Sequence, residues 1–259
     1  MIARHRPLLI TLLIALTGAL VFRAVSLPLP WLLGPMFACL IAALAGVELR
    51  GWPVASDTMR TVLGVAVGAS ITPALFADLP AMLGTLALVP VFIAVIGLTG
   101  YPFFRWLNFD RATAYYGAMP GGLQDMLIFG EEAGGDVRAL SLIHATRVLV
   151  VVTALPFILT GWLGLDLNRP PGAPASELPW HEGLNMIVIA LAGWRIGLWI
   201  GLFGASILGP MILAAAASLT DIIHFRPPAE AILAAQFFIG FGVGAKYAGI
   251  TVTELRRVV

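Results

Sequence analysis

The stretch Ala118-Met119-Pro120-Gly121-Gly122-Leu123-Gln124-Asp125-Met126 places a carboxylate about one helical turn beyond a Pro-Gly-Gly interruption. Proline removes a backbone donor, and glycine tolerates the conformations that end a helix. The stretch therefore reads as one helix broken in two, with the second piece starting near Gly121. The free N–H groups of that piece point into the break, and the helix dipole adds partial positive charge there. Such a place suits an anion or a carboxylate, and the glycines let a solute approach the main chain. On this reading Pro120, Gly121, Gly122 and Gln124 bind the solute, and Asp125 binds a coupling cation or a proton. The plain alternatives are a tight loop at a membrane surface and a carboxylate that sits in interfacial water.

Two further ionisable residues lie deep in an apolar run. His144 and Arg147 are spaced i, i+3 and share a helical face. Either can pair with Asp125 or hold an anionic solute; the alternative is a structural pair, or an Arg147 that snorkels. Arg147 joins the solute-binding group and His144 the proton-coupling group. Arg195 has the same status with less support. Gln236 is polar within another apolar run and either lines a pathway or bonds a neighbouring helix. No metal site is expected. The four histidines are scattered, without an i, i+4 pair, and the lone Cys39 excludes both a disulfide within the chain and a cysteine cluster.

The elements that must position these residues are set by composition. The chain is 59% hydrophobic and 11% charged, with a mean hydropathy of +0.95. A soluble domain carries roughly 25% charged residues, so most of this surface must face something other than water. The apolar runs are long and continuous rather than alternating, which selects helices over a barrel. They fall near 8–25, 31–46, 59–73, 80–101, 137–160, 184–203, 206–219 and 229–248, with a less regular segment, 111–134, in the middle. Several are too short to cross a bilayer: about 14 residues of helix reach only ~21 Å against a core of ~30 Å. Short, Gly/Pro-interrupted pieces in matching positions of two halves point to discontinuous helices around a transport site.

The matching positions are explicit. Leu33-Gly34-Pro35-Met36 recurs as Leu208-Gly209-Pro210-Met211, and Gly18 as Gly193, 175 residues on. Gly64-x-x-x-Gly68 recurs as Gly240-x-x-x-Gly244, 176 residues on. The chain thus holds an internal repeat. Residues 1–163 form the first copy, with five spans and the broken, re-entrant segment 111–134; 164–182 form a polar linker; 183–259 form an incomplete second copy with three spans. Gly34, Pro35, Gly64, Gly68, Gly209, Pro210, Gly240 and Gly244 either pack helices closely or line a cavity. Pro35 and Pro210 are expected near helix starts, Pro90 and Pro156 inside long spans, and Asp57, Asp110 and Asp136 at N-caps. Trp31, Trp52, Trp162 and Trp180 read as interface anchors. A re-entrant 111–134 puts most arginines, among them Arg50, Arg60, Arg105 and Arg138, on one face, which satisfies the positive-inside rule and makes the two copies inverted. The N-terminal run after Arg4 and Arg6 has a counterpart in the second copy, so it is read as a retained span, not a cleaved leader.

The Leu-Leu-Gly-Pro-Met run at 32–36, Met-Pro-Gly-Gly-Leu-Gln-Asp-Met at 119–126, Leu142-Ile143-His144-Ala145-Thr146-Arg147, and Gln236-x-x-x-Gly240-x-x-x-Gly244 resemble the AbrB-type membrane protein family. The resemblance extends over nearly the whole chain. It implies an internally duplicated membrane protein, in a family whose members carry labels such as ammonia monooxygenase or regulator. It also implies a second Pro-Gly-Gly break, which would fall beyond Val259; either the chain is a shortened form or it completes its site as a homodimer.

The expectation is an all-α, polytopic transmembrane bundle in the inner (plasma) membrane, not an enzyme and without a cofactor. It is read as a secondary transporter or permease for a small, anionic organic solute. Two other readings stand beside it: a membrane scaffold or sensor that affects gene expression indirectly, and a membrane monooxygenase, which the lack of clustered ligands disfavours. The partners are the lipid bilayer and the solute; a net charge of +1 and the absence of a DNA-binding pattern argue against nucleic acid.

Overall fold

A computed structural model of the chain describes residues 2–167 and 172–248; the side chains of 1–5, 76, 77, 79 and 123–125 lie outside that description. Every regular element among the described residues is helical: α1 (Ile2–Ala24), α2 (Pro30–Leu44), α3 (Pro53–Gly68), α4 (Pro73–Trp106), α5 (Arg111–Ala118), α6 (Leu123–Glu132), α7 (Val137–Gly161), α8 (Trp180–Trp199), α9 (Ala205–Leu219) and α10 (Ala229–Ala245), with a 3-10 turn at Ala175–Glu177. Three of them, over Arg6–Ala24, Pro80–Trp106 and Val137–Gly161, are long and apolar enough to cross a membrane, and α2, α9 and α10 are shorter apolar helices. Large apolar side chains stand exposed on α8, among them Leu184, Ile187, Val188 and Leu191. A contiguous apolar surface of this kind is unfavourable in water and natural against lipid.

Proline starts several helices. Pro30 and Pro53 occupy first-turn positions, where the missing N–H costs nothing. This moves two expectations. Asp57 is not an N-cap: α3 has already begun at Pro53 behind Trp52, and Asp57 instead pairs with Arg60 at 2.9 Å on the same helix. Pro35 and Pro210 are not near helix starts either; each sits inside its helix in the second turn. Asp110 and Asp136 do cap. Asp110 accepts from the N–H of Thr113 at 2.9 Å, and Asp136 from the N–H groups of Arg138 and Ala139.

The chain divides into two compact units that cut across the repeat. Among the described residues, one comprises 2–73, 153–167 and 172–248, the other 74–152. The first unit holds the repeated helices, α1–α3 and α8–α10. The turns between them match position by position. Positive φ occurs at Ser26 and Gly201, at Leu29 and Gly204, and at Gly46 and Asp221, three pairs each 175 apart. The closing bonds match as well: the N–H of Leu27 donates to Phe22 as Leu202 does to Gly197, and that of Val47 to Ala42 as Ile222 does to Ala217. Each loop ahead of the third helix is tied to the first helix by a side-chain oxygen. The Arg50 N–H donates to Thr11 Oγ1 at 2.9 Å, and the His224 N–H to Glu182 Oε2 at 3.3 Å.

Glycines set the spacing within this unit. Gly18 lies against the carbonyl of Gly34, and its equivalent Gly193 against that of Gly209. The third helices are exchanged. Gly64 and Gly68 of α3 lie on the carbonyls of Ile207 and Met211 in α9, while Gly240 and Gly244 of α10 lie on those of Leu32 and Met36 in α2. Each partner is the 175-residue equivalent of the other. A Cβ at any of these glycines would meet main-chain atoms that cannot turn aside. Two equivalent cores result: Val65, Met186, Ile189, Ala214 and Ala217 in one, and Ala15, Cys39 and Phe241 in the other.

Candidate functional site

The second unit positions the break. α5 begins at the Asp110 cap, and Thr113 in its first turn bonds on both sides. Its N–H goes to Asp110, and its hydroxyl accepts from the N–H of Asp136 at 2.7 Å. That second bond holds the start of α7 beside the start of α5. Phe109, Ala114 and Ile143 form the small core between them, with Tyr101, Phe104 and Leu107 packed on it. α4 approaches the far end of α5 at two glycines: a Cβ on Gly100 would stand 3.0 Å from that of Ala118, and one on Gly97 2.7 Å from Met119 Cε.

α5 ends at Ala118. Met119 is extended, Pro120, Gly121 and Gly122 form the connection, and α6 starts at Leu123 behind Gly122. The break therefore lies where the Pro-Gly-Gly sequence puts it. Gly122 has no side chain with which to cap α6, so among the described residues no N-cap side chain meets the first N–H groups of that helix. The Met126 side chain folds back over Gly121, with its sulfur 2.9 Å from where a Cβ would be. The side chains of Gln124 and Asp125 lie outside the described residues; their main chain belongs to α6.

His144 and Arg147 come from α7 to the opposite side of the break. His144 is 1% exposed. Its Nε2 lies 3.0 Å from the carbonyl oxygen of Tyr116, and Arg147 Nη2 lies 2.6 Å from its Nδ1. A guanidinium only donates, so Nδ1 accepts and the ring proton resides on Nε2, donating to Tyr116. Arg147 also donates from Nη1 to the carbonyl of Met119 at 3.1 Å. Two of the last carbonyls around the C-terminal end of α5 are thus satisfied by side chains, one of them cationic, at the negative end of the helix dipole. Of the residues expected to hold a solute and a proton, Arg147 and His144 meet here, and sequence reasoning missed the main-chain half of the cluster: Tyr116 and Met119 contribute carbonyl oxygens, which leave no mark on residue type. Arg147 keeps three further N–H donors beyond these two bonds.

The remaining expected site residues lie in the first unit. The six glycines among them are contact positions, Gly34 on α1, Gly209 on α8 and the other four between α3 and α9 or α10 and α2, and the two prolines are fully buried. Gln236 is half-buried in α10, and Arg195 lies in α8. Among the described residues no group of three or more His, Cys, Asp or Glu side chains stands together as metal ligands would.

The family model described as "Transition state regulatory protein AbrB" matches residues 31–259. The chain belongs to the AbrB family. Among its curated relatives, "Putative regulator AbrB" of Escherichia coli (strain K12) is 24% identical over 229 residues, covering 86% of this chain and 65% of that one. "Uncharacterized protein YhjN" of Bacillus subtilis (strain 168) is 25% identical over 156 residues, 56% of this chain and 40% of that one. This AbrB-family chain therefore spans less than two thirds of the length of either relative. No solved structure matches it. The matched residues include the whole of the break, α7 and the second set of repeated helices, so the features that define the site lie inside the family region.

Proposed function

We propose that this AbrB-family chain is a permease of the inner membrane that binds a small organic anion at the break between α5 and α6. One observation carries the reading. The two helix ends that meet at Pro120–Gly122 are treated unequally: the carbonyl end is neutralised by His144 and Arg147, and the N–H end behind Gly122 is left without a side-chain cap. What remains in the break is net donor and positive character, which favours a carboxylate or a similar anion. Oriented N–H groups at a main-chain interruption are how discontinuous helices of transporters receive anionic substrates, and here they stand beside a half-buried arginine. In this reading Arg147 turns a free N–H to the solute while its other two hold the site, Gln124 adds a polar contact, and Asp125 and His144 handle coupling protons. The eight crossings, the re-entrant 111–134 segment and the inverted arrangement of the copies belong to the same proposal. The chain performs no chemistry on the solute in this account, and a homodimer would place two such breaks in one assembly.

The printed name of the Escherichia coli relative, a regulator, supports a second reading: a membrane scaffold or sensor that acts on expression indirectly. The two part on one measurement. Solid-supported-membrane electrophysiology on proteoliposomes, with mono-, di- and tricarboxylates and inorganic phosphate as probes, yields a current for one class if the chain is a permease, and Arg147→Lys abolishes it. Absence of any current, with correctly folded protein in the vesicles, removes the permease reading.

A further inference from the structure

The two equivalent cores of the first unit are not equally filled. In the core formed by α10 on α1, Phe241 is fully buried and packs with Ala15, Leu8 and Leu12. Beside it, Phe238 meets Trp52 edge to face with ring centroids 6.3 Å apart. In the core formed by α3 on α8, the equivalents of Phe238, Phe241 and Trp52 are Val62, Val65 and Pro228, each 176 residues from its counterpart. Gly183 stands where the other copy has Leu8. Met186, in place of Thr11, returns part of the lost volume. The balance is a cavity of about 230 Å³, bounded by Val62, Val65, Met186, Ile187, Pro228 and Ala231.

Every side chain that lines this cavity is apolar, so it offers a charged or hydrogen-bonding solute nothing. Nor does it lie in the unit that contains the Pro-Gly-Gly break. It is a half-open pocket and not a sealed void, so a chain-like apolar ligand can reach its lining from the surface. A cavity of about 150 Å³ lined by Leu, Ile and Phe stays dry and takes up benzene. One wall here is Ile187, which is 58% exposed and belongs to the apolar strip Leu184, Ile187, Val188 and Leu191 on α8. The cavity thus adjoins an exposed apolar surface of the kind that acyl chains cover.

We propose that this cavity is a lipid site: an acyl chain of a membrane phospholipid enters beside Ile187 and fills the space that Trp52 and Phe238 fill in the other copy. The site is distinct from the solute site, and its occupancy stabilises the contact of α3 with α8 and α9.

The test uses the full chain in nanodiscs of phosphatidylcholine that carries a photoreactive diazirine within one acyl chain, with labelled peptides mapped by mass spectrometry. The expected result is strong labelling of Met186 and Ala190 in the wild type. Val62→Phe, which copies the filled core, loses this labelling, while labelling of the exposed Leu198 persists. Ala231→Leu, which fills the cavity from another wall, carries the same test if Val62→Phe does not fold. Phe238→Val opens the opposite core and adds labelling near Leu12. Labelling of Met186 no stronger than that of Leu198, or undiminished in the filled variants, overturns the proposal. A cavity that binds xenon but takes no label overturns its lipid assignment.

Discussion

Arg147 donates from Nη2 to Nδ1 of His144 across 2.6 Å. This single bond fixes the imidazole tautomer, because a nitrogen that accepts from a guanidinium carries no proton of its own. The proton on Nε2 is then committed to the Tyr116 carbonyl. If His144 exchanges protons during a transport cycle, Arg147 must first move off Nδ1. Solution or solid-state NMR on histidine-labelled protein in nanodiscs checks the resting state. The expected 15N shifts are those of an unprotonated Nδ1 and a protonated Nε2, and a protonated Nδ1 contradicts the geometry.

Arg147 bridges two acceptors, and a lysine cannot. Its ammonium is a point charge on a flexible stem, without the planar fork that reaches His144 and Met119 together. Arg147→Leu leaves Nδ1 of His144 and the Met119 carbonyl without their donors, and each unsatisfied buried group costs about 1–3 kcal/mol. Thermal denaturation is expected to rank the variants wild type, then Arg147→Lys, then Arg147→Leu. Equal melting temperatures for all three would show that the C-terminal end of α5 does not depend on this residue.

The exchanged third helices make a sharper prediction. Gly64 on Ile207 and Gly240 on Leu32 are equivalent contacts, so Gly64→Leu and Gly240→Leu are expected to damage the fold equally. Overpacking of this kind costs typically 1–3 kcal/mol, and main-chain neighbours put both at the upper end. Gly84 in α4 has nothing within 4 Å of an added Cβ. Gly84→Ala is therefore expected to stabilise by about 0.5–1 kcal/mol through helix propensity alone. Folded yield and melting temperature in detergent report all three.

The sequence made some of this legible and hid the rest for identifiable reasons. Recurrence of Leu-Gly-Pro-Met and of the spaced glycines reveals two copies because equal packing demands equal residues. It does not reveal that α3 packs on the other copy's α9, since a repeat shows which residues are alike, not which are partners. Asp57 looked like a cap because an acidic residue precedes an apolar run; the Trp52-Pro53 pair, a proline in the first turn, was the stronger start signal. The i, i+3 spacing of His144 and Arg147 put them on one face, but Tyr116 and Met119 contribute only main-chain oxygens. The cavity was readable in principle: alignment of the copies sets Val62 against Phe238 and Pro228 against Trp52. Its significance depended on knowing that these positions face each other.

Leu29 tests the cost of a conformation. It precedes α2 at φ 48°, in the left-handed region, where the second copy has Gly204 at φ 58°. For residues with a Cβ this region costs roughly 1–2 kcal/mol, whereas glycine enters it freely. Leu29→Gly is expected to relieve that strain and raise the melting temperature, offset in part by the extra freedom glycine gives the unfolded chain. Gly204→Leu is expected to lower it. The same sign for both substitutions would mean that side-chain contacts, not backbone conformation, govern this turn.

Asp110 gives the pH dependence. Partial burial works to raise its carboxyl pKa, but hydrogen bonds from the Thr113 side chain and from the N–H groups of Thr113, Ala112 and Asp110 itself outweigh it and hold the pKa below its usual value. A carboxylate with a depressed folded-state pKa contributes stability that is present above its unfolded pKa of about 3.9 and is lost as pH falls through the folded value. At neutral pH, Asp110→Ala is expected to cost about 1 kcal/mol, the usual worth of an N-cap. The difference between wild type and this variant should narrow as the pH drops below roughly 4. Asp110→Asn should retain most of the cap, because its amide oxygen still accepts from Thr113, and its stability relative to Asp110→Ala should stay level over the same range. Melting curves of the three proteins between neutral and acid pH decide the matter: a gap between wild type and Asp110→Ala that does not close on acidification would mean that the Asp110 carboxylate is not what holds the start of α5.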